Sequence, residues 1–145
     1  MTDGVAGDIA VCANLVSRAI GALDAHDHAG FVALFEEAAT FRARGKIFSG
    51  SEAIRGFSES RSVERITRHQ VGTPAVEILG ENEARASAVV TAFEAHRPAD
   101  DSVPDVSLPY LVADFRLTFR RTALGWKIAS AQVAGVFRKA QDATQ

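Results

Sequence analysis

Residues 108–121 read LPYLVADFRLTFRR and residues 126–138 read WKIASAQVAGVFR. In the first run Leu111, Phe115, Leu117 and Phe119 keep strand parity, which is the pattern of a sheet with one face in a core. Tyr110 and Val112 keep the opposite face from being fully polar, so both faces are expected to meet something. Ala123-Leu124-Gly125 is short enough to join the two runs as a hairpin. Working backward, Ala84 to His96 and Ile66 to Leu79 are two further extended runs. They are joined at Gly80-Glu81-Asn82, and Pro98 to Pro104 forms a polar, proline-bearing loop. Four long, mostly antiparallel strands are expected.

The first half has a different period. Ile9, Cys12, Val16, Ile20 and Leu23 recur at spacings of three and four, which predicts an amphipathic helix from about Val5 to Ala25. Asp27 is placed to cap a second helix over about His28 to Ala38, with Phe31, Leu34 and Phe35 facing inward. Thr40 to Ala43 and Ile47-Phe48 flank Gly45 as two short strands. Ser49 with Glu52 has the spacing of a capping box ahead of a third helix carrying Ala53, Ile54 and Phe57. The expectation is a single α+β domain over 1–145: three N-terminal helices packed on a strongly curved, mostly antiparallel mixed sheet of about six strands. Residues 1–4 and 139–145 are expected to be flexible tails.

Composition narrows the function. The 145 residues are 47% apolar and 23% charged, with 16 Lys+Arg against 18 Asp+Glu. That length buries a core without a disulfide or structural metal, and the near-neutral charge without a basic cluster argues against nucleic acid. One cysteine, Cys12, excludes an internal disulfide, sits on the first helix's apolar stripe and is expected to be inert. No leader pattern and no apolar run near the ~20 residues of a membrane span are legible, so a cytoplasmic protein without a membrane partner is expected. No phosphate loop, dinucleotide fingerprint or nucleophile elbow is present.

Several stretches together resemble the SnoaL-like branch of the nuclear-transport-factor-2-like superfamily, the cone-shaped fold shared with scytalone dehydratase. They are Ala22-Leu23-Asp24-Ala25-His26-Asp27 with Phe31 and Leu34-Phe35, then Gly50-Ser51-Glu52-Ala53-Ile54, Arg68-His69, and Gly125-Trp126-Lys127-Ile128. In dehydratase-like members a carboxylate near the end of the first helix faces a strand histidine inside the cone, and Asp24 and His69 match those positions. The resemblance thus implies a cofactor-independent lyase or isomerase, with Asp24 and His69 as acid/base pair acting on a small, apolar, cyclic carbonyl compound. The chemistry is sound: an imidazole with a pKa of ~6.5 moves protons near neutrality, and a carboxylate fixes its tautomer.

The sequence departs from the family where substrate carbonyls are polarised: Ala19, Thr73, Phe115 and Leu117 stand where polar groups are frequent. Tyr110, Asp114 or Arg116 could compensate. These losses also fit a second reading, a non-catalytic small-molecule carrier or a partner subunit like the small subunit of ring-hydroxylating dioxygenases. Phe41, Phe57, Thr73, Tyr110 and Phe115 are the expected substrate-binding residues, with Val71 and Thr73 sharing a face with His69 if no bulge intervenes at Pro74. Asp24 and His69 equally read as a helix-end residue and a satisfied strand histidine. His26 and His28 with Asp24 and Asp27 suggest metal ligands, yet they straddle a helix end and should diverge, so no metal is expected. A homodimer through the second sheet face is expected.

Overall fold

The computed structural model describes residues 2–106 and 109–140. Helix α1 runs Thr2–Asp24, α2 His28–Val32 and α3 Ser51–Glu59, and the strands are β1 Phe35–Ala43, β2 Lys46–Ser49, β3 Arg65–Val71, β4 Ala75–Ile78, β5 Glu83–His96, β6 Leu111–Thr122 and β7 Gly125–Arg138. They form one seven-stranded sheet in the order β2-β1-β7-β6-β5-β3, with β4 also paired to β5. Among the described residues only β1 with β7 is parallel. Edge strands β2 and β3 do not pair with each other, so the curved sheet stays open.

The alternation that predicted β6 is realised: Ala113, Phe115, Leu117 and Phe119 are buried, and Ala84 to Ala92 of β5 bury every second residue beside them. Small alanines on β5 against phenylalanines on β6 leave room for α1, which lays Cys12, Leu15, Val16, Ala19, Ile20 and Leu23 across this face. Over Gly4–Asp24, α1 is by length and composition also long and apolar enough to cross a bilayer, although no such run was expected from the sequence. Its apolar stripe is here committed to the core.

Four local expectations are corrected. The second helix ends at Val32, and Phe35 already belongs to β1, because Phe35, Ala39, Phe41 and Ala43 reach the core only with strand parity plus a register shift between Phe35 and Thr40. The capping box does not form: Gly50, at φ 86°, is the N-cap of α3, and a serine side chain cannot serve from one position earlier. The run from Ile66 to Leu79 divides into β3 and β4 at Gly72-Thr73-Pro74, where proline offers no amide to the ladder. Residues 2–4 are the first turn of α1 rather than a tail, while the tail expected at 141–145, like Leu108 at the head of the predicted β6, lies outside the described residues.

Candidate active site

Helix α1 ends at Asp24 with a Schellman-type closure, in which Asp27 N–H donates to Ala22 C=O at 2.9 Å and His26 N–H to Leu23 C=O at 3.2 Å. The chain reverses at His26, whose φ is 54°, and Asp27 caps α2 by accepting from Gly30 N–H at 2.9 Å. This tight exit aims the Asp24 carboxylate at β3. Because β3 is an edge strand, the His69 N–H faces away from β5 and donates to Asp24 Oδ2 at 2.9 Å. The His69 Nδ1 lies 2.6 Å from Asp24 Oδ1, which also accepts from Thr67 Oγ1 at 2.8 Å. Thr67 and His69, two residues apart, share a face of β3, so one carboxylate collects both.

The side chains of Asp24 and His69 are each 10% exposed. Burial works to raise the Asp24 carboxyl, but the side-chain and backbone hydrogen bonds from His69, its charge and the Thr67 hydroxyl outweigh it and hold the group below the ordinary carboxylate range. An ionised Asp24 accepts a hydrogen bond from Nδ1–H, which leaves Nε2 as the unprotonated nitrogen of the imidazole.

His69 opens onto a cavity of about 370 Å³, whose wall also carries Ile20, Leu23, Phe41, Phe57, Arg61, Val90, Tyr110 and Phe115. Asp24 stands behind the imidazole. Of the expected substrate contacts, Phe41, Phe57, Tyr110 and Phe115 line this cavity, and Thr73 does not: it is exposed in the break between β3 and β4. Phe57 stacks edge-on against Phe41 with ring centroids 4.7 Å apart, and Phe48 packs on Phe57 from behind. Asp114 and Arg116 do not take the place of the missing polar groups: they pair with each other at 3.8 Å and do not line the cavity.

Two participants carry no mark of their own in the sequence. Thr67 follows only by parity, once His69 is placed on a strand. Arg61, in the irregular segment between α3 and β3, carries no periodic signal, yet it is only 8% exposed, lines the cavity and donates from Nη2 to Thr67 Oγ1 at 2.7 Å. The result is a chain running Arg61, Thr67, Asp24, His69. Burial pulls the Arg61 guanidinium's pKa down, while Tyr110 and the Asp24 charge oppose that fall. His28 bonds Ser58 at 2.7 Å, joining α2 to α3, so His26, Asp27 and His28 serve three different local structures. Among the described residues no group of three His, Cys, Asp or Glu is placed to hold a metal. A depression of about 570 Å³ lies between Glu77, Arg85, Arg116 and Gln132, and it contains neither member of the dyad.

Comparison with known proteins agrees with this architecture. The fold matches a candidate scytalone dehydratase from Novosphingobium aromaticivorans with TM-score 0.82 and 17% identity, covering 99% of this chain and 94% of that one. An NTF2-like protein with a cystatin-like fold from the same organism matches at 0.77 and 20% identity, over 94% and 86%. A ketosteroid isomerase-like protein from Erwinia carotovora atroseptica matches at 0.71 and 13%, over 90% and 97%. At such identities the likeness is one of fold. No curated protein matches in sequence. The SnoaL-like domain profile matches residues 5–132, nearly the whole described chain, and the protein belongs to the SnoaL-like domain family.

Proposed function

We propose that the protein is a cofactor-independent lyase or isomerase in which His69, oriented by Asp24, moves a proton on a small, apolar, cyclic carbonyl compound held in the cavity. The observation that carries this reading is the 2.6 Å contact between His69 Nδ1 and a carboxylate kept ionised, with the imidazole facing the cavity. Nε2 takes the proton α to the carbonyl. The imidazolium, stabilised by Asp24, returns it either to a hydroxyl that departs as water or to another carbon. Thr67 and the His69 amide fix the carboxylate, so the pair is held before substrate arrives.

The reading is tested without knowing the substrate. Cyclic ketones and β-hydroxy ketones are incubated with protein in D2O, and exchange or water loss is followed by NMR. Acceleration that disappears in His69→Ala, with melting temperature little changed, is the expected result. No acceleration across the panel, combined with ligand binding unaffected by His69→Ala, would establish the second reading of a small-molecule binder, which the largely apolar lining favours. A homodimer is part of this proposal, formed through the outer sheet face, where Val89, Val136 and Phe137 are 54%, 50% and 70% exposed.

A further inference from the structure

The cavity wall is electrostatically lopsided. It carries three guanidinium groups, from Arg44, Arg61 and Arg138, and no carboxylate among the described residues. Arg44 and Arg138 are exposed, where water screens them. Arg61 is different: at 8% exposure it is one of three buried polar side chains, with Ser58 and Thr67. A buried guanidinium ordinarily stands opposite a carboxylate, because desolvation of an unpaired charge is costly. Among the described residues Arg61 makes no ion pair. Its one hydrogen bond goes to a neutral hydroxyl, and its Nε is buried with no acceptor. Asp24, whose charge reaches the guanidinium, is already committed to His69 and Thr67.

We propose that the ligand supplies the missing anion: the protein takes an organic acid, an apolar ring bearing a carboxylate, and Arg61 is the residue that recognises the carboxylate beside His69. Phe41, Phe57 and Phe115 hold the ring, and the guanidinium, whose planar fork suits carboxylate geometry, holds the acid group. The chain from Arg61 through Thr67 and Asp24 to His69 ties the group that positions the ligand to the group that acts on it. The inference narrows the substrate class of the acid/base reading and rests on that reading only for turnover, since acid recognition is a property of binding alone.

The experiment compares 2-naphthoate with 2-naphthamide, equal in shape and differing in charge, by isothermal titration calorimetry. Wild type should bind the acid at least about tenfold more tightly, as a charge-assisted hydrogen bond away from bulk water requires. Arg61→Gln should bring the ratio close to one, and Arg61→Lys should retain part of it. The double variant Arg44→Gln/Arg138→Gln, which leaves the buried site intact, should keep the preference even if Arg61→Gln fails to fold. Equal affinity for acid and amide in wild type, a preference lost in the double variant but kept in Arg61→Gln, or no binding of either probe up to about 1 mM would each overturn the proposal. His69→Ala separates the two readings: it should abolish proton exchange and leave the acid preference in place.

Discussion

The carboxylate of Asp24 is the residue on which stability and chemistry meet. Its folded pKa lies below the ~3.9 of an unfolded aspartate, so its contribution is fully present above that value and is lost as pH falls through the folded pKa. Urea unfolding at pH 3 to 7 should show stability dropping below about pH 4. Asp24→Asn should make that drop smaller, leaving the part carried by other carboxylates such as Asp8, and lose about 2 kcal/mol at neutral pH, as expected for taking charge from a hydrogen-bonded buried group. His26 makes the opposite case. It occupies the left-handed position of the α1 closure with both ring nitrogens buried and unpartnered, a geometry that suits glycine. His26→Gly should therefore stabilise by about 1 kcal/mol in the same assay. A loss instead would mean that the imidazole has a partner or a role in solution.

Among the elements, α1 determines where the cavity ends, and its grip on the sheet is local. Near its start Asp8 accepts from Trp126 Nε1 at 2.9 Å and pairs with Arg121 at 2.5 Å, and the Arg121 guanidinium lies 4.6 Å from the Trp126 ring centroid. One turn later Cys12 is fully buried, and burial, with Asp8 nearby, pushes its thiol up to about 11. Native protein should react with a thiol reagent at neutral pH only as fast as α1 opens. Asp8→Ala should accelerate that labelling and lower Tm. Unchanged labelling would show that the apolar stripe alone holds the helix. The same stripe was legible from the spacing of Cys12, Val16 and Ile20, whereas the Asp8 clamp joins residues 118 positions apart and leaves no mark on either local pattern.

For the whole molecule, the two faces of the sheet differ in what they carry. The inner face buries alternate residues of β5 and β6 and shapes the cavity. The outer face carries Ser87, Arg116, Thr118 and Gln132 over part of its area and exposes Val89, Val136 and Phe137 elsewhere. Light scattering at micromolar concentration should give the mass of a dimer, and Val89→Asp with Phe137→Asp should reduce it to that of a monomer. A monomer in wild type would leave the exposed apolar residues for another partner.

Periodicity by itself determined the order of the elements, because burial on one face imposes a period of two on β5 and β6 and a period near 3.6 on α1. It failed where one residue carried two obligations. Phe35 satisfied the helical period and was claimed by β1; Ser49 had the spacing of a cap, yet the chain needed the positive φ of Gly50; Pro74 divided a run whose alternation continued past it. Matched positions brought Asp24 and His69 to notice, but two residues 45 apart in sequence touch only because α1 stops where it does and β3 lies at the sheet edge with a free amide. Arg61 required the fold most of all. Nothing about an arginine in an irregular segment signals that it is buried, and only the tertiary packing takes it out of water without giving it a counter-charge.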